Sequence, residues 1–131
     1  MSGDELIAQF ESGATASDSF HHADHVRLAF EYLHRYSVLE ALEKFSAALQ
    51  RFAAAQGKAS RYHETITWAY LLLIRERIAR AGRLQAWEEF AIRNSDLLIW
   101  KGGVLGTLYR AETLDSDLAR RIFVLPDRTV R

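Results

Sequence analysis

From Asp4 onward the apolar residues recur at steps of three and four, the period of an α-helix. The β-branched clusters and Asn-Gly turns that mark hairpins are missing, and proline occurs once, at Pro126. The pattern predicts an all-α domain: a compact four-helix core with short carboxy-terminal helices wrapped around it. Asp4 to Glu11 reads as a short first helix, followed by a loop of small polar residues from Ser12 to Ser19. A second helix starts near His21 or His22, with Ser19 or Asp18 as its N-cap. Its inner face carries Val26, Ala29, Phe30, Leu33 and Tyr36.

Ser37-Val38-Leu39-Glu40 fits a capping box and opens a third helix, Val38 to about Gln56. That helix buries Leu42, Phe45, Leu49, Phe52 and Ala53, and Gly57 is its natural stop. Ser60 is placed to cap a fourth helix, Arg61 to Ala81, which is apolar nearly all round and therefore central. Leu84 to Ile92 follows as a short helix with Trp87 and Phe90 turned inward. Gly102, Gly103 and Gly106 then break the pattern into short turns. Asp115 or Ser116 caps a last helix through Phe123, and Leu125-Pro126-Asp127 ends it. No repeat or linker divides the chain, so 1–131 reads as one domain: 1–19 a short helix and loop, 20–128 the core.

Laid on this pattern, the histidines stand out. Three of the five fall within His21 to His25. His22, His25, Ala29, Leu33 and Tyr36 follow helical steps, which puts His22 and His25 on or beside the buried face, whereas His21 looks outward. His63, Ile66, Thr67, Tyr70, Ile74 and Arg77 share one side of the fourth helix. If the two helices pack together, His22, His25 and His63 form a three-histidine site for one divalent transition metal, zinc or iron first. Three imidazoles plus water make an open, catalytic kind of shell, suited to hydrolysis, isomerisation or oxidation of a small molecule. Glu64 is the candidate acid–base group, or the acceptor behind an imidazole. Arg27 is the candidate clamp for an anionic substrate. His34 has no partner at useful spacing and reads as a surface residue.

Two other classes remain open. One is a non-catalytic helical ligand-binding or interaction protein whose histidines are structural. The other keeps the histidines as metal-free general acid and base.

Composition narrows the field by exclusion. Seventeen basic and seventeen acidic residues cancel, which argues against a nucleic-acid partner and is consistent with a homodimer. The absence of cysteine removes disulfides, thiolate metal sites and a cysteine nucleophile. Met1 to Glu11 lacks the pattern of a signal peptide, and Ile66 to Ile74 falls far short of the roughly 20 apolar residues of a membrane span. The expected setting is cytoplasmic, with a small-molecule partner. No phosphate loop, His-Glu-x-x-His pair or Gly-x-Ser-x-Gly elbow occurs.

Phe20-x-His22-x-x-His25 with Ala29, and Tyr62-His63-Glu64-Thr65-Ile66-Thr67, resemble a family of small, largely uncharacterised bacterial helical proteins. Phe45-Ser46-Ala47-Ala48-Leu49, Arg51-Phe52-Ala53, Ser116-Asp117-Leu118-Ala119-Arg120 and Pro126-Asp127 are similar to it as well. The resemblance covers about residues 20 to 128. It implies that His22, His25 and His63 are shared polar positions and that His21 is not. It names no reaction.

Overall fold

In a computed structural model, which describes residues 1–128, the regular elements are helical and no strand occurs among the described residues. Residues 129–131, the end of the expected single domain, lie outside them. The core is built from α1 (Gly3–Glu11), α2 (His22–Arg35), α3 (Val38–Ala55) and α4 (Glu64–Ala81). α5 (Trp87–Arg93) and a 3-10 turn over Ser95–Leu98 follow. Three short helices then close the fold: α6 (Leu105–Leu108), α7 (Ala111–Leu114) and α8 (Asp117–Arg121). The expected all-α class with a carboxy-terminal wrap is what forms.

Local chemistry sets the helix starts: α2 begins at His22 as expected but with a different cap, and α4 begins later than expected. α3 begins after Ser37, whose hydroxyl accepts from the Glu40 N–H at 3.4 Å. The Glu40 carboxylate takes the serine hydroxyl proton at 3.1 Å instead of the backbone N–H, so only half of the capping box forms. α2 is not capped by Ser19 or Asp18, which lie in a 3-10 turn over Ser17–Ser19. His21 is the cap residue, and its N–H donates to the Asp24 carboxylate at 2.9 Å. α4 starts at Glu64, not Arg61, and His63, not Ser60, is its N-cap.

The reason for the later start lies at Gly57. It takes a left-handed φ of 69°, a conformation that costs a side-chain-bearing residue roughly 1 kcal/mol. Lys58 N–H then folds back onto the Ala53 carbonyl at 2.8 Å. The chain must turn through Ala59–Arg61 before it can enter a new helix.

α4 is central, as its apolar surround predicts. Thr65, Thr67, Ala69, Tyr70, Leu71 and Ile74 are buried on several of its sides, against α2, α3 and α8. α2 contributes Val26, Leu28, Ala29, Phe30 and Tyr32, α3 contributes Ala41, Phe45, Ala48 and Leu49, and α1 contributes Ile7 and Phe10. Each large side chain of this set stabilises the fold by about 1.5–3 kcal/mol through burial. Phe52 and Ala53, expected inside, are only half-buried because that end of α3 lines a cavity. Leu84 is exposed, so the fifth helix begins at Trp87, which packs beside Phe90 and Phe30.

Two long-range polar ties fix the second half of the chain onto the first. Arg77 crosses to Asp96 at 2.8 and 3.0 Å and to the Asn94 side chain at 2.9 Å. This holds the Ser95–Leu98 turn against α4. At the other end, the buried Thr65 hydroxyl donates to the Ile122 carbonyl at 2.8 Å and accepts from Val124 N–H at 3.0 Å. Tyr109 OH donates to the Val124 carbonyl at 2.6 Å. The Asp127 carboxylate accepts from Arg110 N–H at 2.9 Å and from the Thr113 hydroxyl. No helix among the described residues is long and apolar enough to cross a membrane.

Candidate functional site

The start of α2, the end of α3 and the entry into α4 border a half-open cavity of about 300 Å³, at the low end for small-molecule sites. One wall is apolar, made by Phe20, Leu49, Phe52 and Ala53. The other is polar: His25 from α2, Gln56 at the end of α3, and Tyr62, His63 and Thr67 around the start of α4. Lys58 and Arg61, exposed on the connection between α3 and α4, complete the lining.

Although His25 and His63 share this cavity, their chemical states differ. His63 spends both ring nitrogens on the backbone. Its Nδ1 accepts from the Ile66 N–H at 3.1 Å, which caps α4, and its Nε2 donates to the Leu114 carbonyl at 2.7 Å. A carbonyl can only accept and an N–H can only donate, so these partners require the neutral tautomer with the proton on Nε2. Burial lowers the His63 pKa, partly opposed by the Leu114 carbonyl, with Arg120 adding to the depression. A positive ring would also face the positive end of α4.

His22 is committed elsewhere. Its Nε2 donates to the Leu97 carbonyl at 2.9 Å, on the turn that Arg77 pins in place. The ring lies between Tyr70 and Trp100, with centroids at 4.8 and 5.2 Å. Burial lowers its pKa, against the effect of the Leu97 carbonyl.

His25 is the imidazole left unspent. No protein group among the described residues hydrogen-bonds to its ring, which packs on Phe20 at 4.4 Å and borders the cavity. Burial, with the neighbouring His22 as a second cause, pushes its pKa down to about 4. The ring is therefore neutral at physiological pH, one nitrogen a donor and the other an acceptor.

This geometry bears directly on the expected metal shell. Among the described residues no three His, Cys, Asp or Glu side chains are grouped to hold a metal ion. The donor chemistry gives the reason, since His63 has no free nitrogen and His22 Nε2 is held by a carbonyl. A metal bound by His22, His25 and His63 would have to break one of the two His63 contacts, the α4 cap or the Leu114 carbonyl, whereas His22 could ligate through Nδ1 with its Nε2–H still on Leu97. The three residues do not fit a three-histidine centre as they stand.

The other sequence candidates fall outside the cavity lining. Glu64 accepts from the Tyr62 hydroxyl at 2.5 Å, and that bond, after burial, raises the Tyr62 pKa. Arg27 donates to the Met1 carbonyl at 2.7 Å and sits 3.5 Å from Glu31, which Arg35 and Asp4 join to a network tying α1 to α2. His21 is exposed as expected, 3.6 Å from Asp24. His34, read as a surface residue, is half-buried: it packs on Phe30 at 4.1 Å and its Nδ1 donates to the Phe30 carbonyl at 2.9 Å.

Sequence reasoning missed Gln56, Lys58, Arg61 and Thr67 as lining residues. A usable signal was present in Gly57, because a helix stop seven residues before Glu64 leaves Gln56 to His63 to connect the ends of both helices. Comparison with family models, with curated proteins and with solved structures gives no match.

Proposed function

We propose that this protein binds a small organic molecule in the cavity between α2, α3 and the start of α4. The observation that carries the reading is His25, a neutral and unpartnered imidazole on a cavity of about 300 Å³ whose opposite wall is aromatic and aliphatic. His25 is half-buried and its ring nitrogens are not among the fully buried unpartnered polar atoms, so they reach the open space and can offer a ligand one donor and one acceptor. The apolar wall contributes binding through burial, and His25 contributes orientation.

Binding is better supported than catalysis. A general base works best with a pKa near the operating pH, and a value of about 4 makes His25 a poor base at neutrality. His63 is fixed as a cap and has no proton position to spare. A metal held by His22, His25 and His63 has less support still, since no three such side chains are grouped among the described residues and both nitrogens of His63 are hydrogen-bonded.

The test is a fragment screen followed by ring-proton NMR on uniformly labelled protein. Fragments that bind are expected to shift His25 and Phe52 ring signals, and Ala53→Phe, which fills the cavity from α3, is expected to abolish binding with the fold retained. Fragments that bind equally to Ala53→Phe and leave His25 unmoved would place the site elsewhere.

A further inference from the structure

We propose that the molecule this cavity takes is a carboxylate carrying an apolar body, its acid group held by Lys58 and Arg61 and its body against Phe20, Leu49 and Phe52. The inference rests on the binding reading above and adds the chemical class of the ligand.

Charge is the first argument. The lining contains two cations and neither aspartate nor glutamate. The chain as a whole is balanced, seventeen against seventeen, so two cations without an acid on one cavity are a local departure from the average. Seven arginines elsewhere pair with acids, Arg27 and Arg35 with Glu31, Arg77 with Asp96, Arg80 with Glu76, Arg83 and Arg93 with Glu89, and Arg121 with Asp117, while Arg51, Arg75, Arg110, Arg120 and Arg128 form no such pair among the described residues. Lys58 and Arg61 form no such pair among the described residues. Glu64, close by in sequence, is occupied by the Tyr62 hydroxyl.

The inventory of free donors points the same way. Thr67 spends its hydroxyl proton on the His63 carbonyl at 2.8 Å, Tyr62 spends its own on Glu64, and His63 spends its N–H on Leu114. What remains for a ligand is the Lys58 ammonium, the Arg61 guanidinium, the Gln56 amide and the His25 ring. This set is rich in donors, and its charge is all positive. A planar carboxylate matches the guanidinium fork in two parallel bonds. The exposure of both cations leaves the acid group partly hydrated, while the apolar wall takes up the body that follows it. A monoanion meets a lower desolvation penalty beside that wall than a dianion does.

Isothermal titration of the full chain with phenylacetate, phenylacetamide and phenyl phosphate tests the assignment. Phenylacetate is expected to bind about tenfold more tightly than its neutral amide, as suits two exposed charge contacts, and to weaken as salt is added. The preference should vanish in Lys58→Gln/Arg61→Gln, with amide binding unchanged, and invert toward phenethylamine in Lys58→Glu/Arg61→Glu. Equal binding of acid and amide would overturn the carboxylate assignment and leave the cavity reading standing, provided Ala53→Phe removes both. Tighter binding of phenyl phosphate than of phenylacetate would overturn it in favour of a phosphate ligand. Absence of binding by any of the three, at concentrations where the fragment screen also fails, would overturn both readings together.

Discussion

Acidification should destabilise this protein through His25, and the size of the effect follows from the structure. An imidazole in an unfolded chain titrates near pH 6.5. In the fold, burial and the neighbouring His22 bring His25 down to about 4. Between those two values the unfolded chain takes up a proton that the folded chain refuses, so stability rises with pH across the window. The His25 contribution is complete above about pH 6.5, declines as pH falls, and is gone once pH passes below about 4. A gap of about two and a half units, at about 1.4 kcal/mol each, gives roughly 3 kcal/mol. That is a large part of the 5–15 kcal/mol typical of a domain. His22 and His63, both depressed mainly by burial, act in the same direction.

Urea unfolding followed by far-UV circular dichroism, at steps from about pH 7.5 to about pH 4, measures the slope directly. His25→Gln is expected to lose roughly 3 kcal/mol of the wild-type pH dependence while the His22 and His63 shares remain. A wild-type stability that stays flat over this range would refute the reasoning. So would an identical slope in the variant, or an NMR titration that places the His25 midpoint near 6.5.

Other expectations can be checked with the same unfolding assay. His63→Ala removes the acceptor for Ile66 N–H and strands the Leu114 carbonyl, at a cost of about 2–3 kcal/mol; His63→Asn, which restores a capping acceptor, should recover about 1 kcal/mol. Equal losses in the two variants would mean that the cap contributes nothing. Thr65→Val keeps the shape but deletes both ties to the carboxy-terminal strap, costing about 2 kcal/mol and speeding amide exchange at Val124; unchanged exchange there would show that Tyr109 alone holds the strap. A resident metal at a hundred times its Kd would stabilise the fold by about 2.7 kcal/mol. The committed imidazoles predict no such gain with zinc and no loss with chelator, and a zinc-dependent rise in Tm that His25→Gln removes would reverse that view.

Much of the architecture was legible because helical periodicity and end signals act locally. Ser37 and Gly57 bound α3 as their chemistry dictates, and the apolar surround of α4 announced its central place. The two misread caps have separate causes: at α2 the Asp24 carboxylate takes up the His21 N–H, and at α4 the chain must first turn after Gly57. Ser19 and Ser60 are good caps in isolation, but histidine also offers an acceptor once Nδ1 is unprotonated, and His63 uses it. The candidate site divides along the same line. Spacing alone brought His25 and His63 to one cavity. Which nitrogens stay free depends on Leu97 and Leu114, carbonyls 75 and 51 residues away, and no periodicity reports those. Arg27 read as a substrate clamp for a partly similar reason, since its partner Met1 becomes visible only once α1 lies on α2, although Glu31, four residues on in the same helix, was within reach of spacing.

Those two carbonyls divide the labour between the halves of the chain. Every residue that lines the cavity lies between Phe20 and Thr67, whereas the groups that fix the His22 and His63 protons lie at Leu97 and Leu114. The first half of the chain supplies the walls and, through the Ile66 N–H, one tie on His63, and the second half holds the N–H of both rings. Changes at α5 to α8 that shift either carbonyl would alter the protonation of the histidines without moving a single wall residue. A chain built this way can be retuned in pH response by its distant half while the cavity walls stay the same.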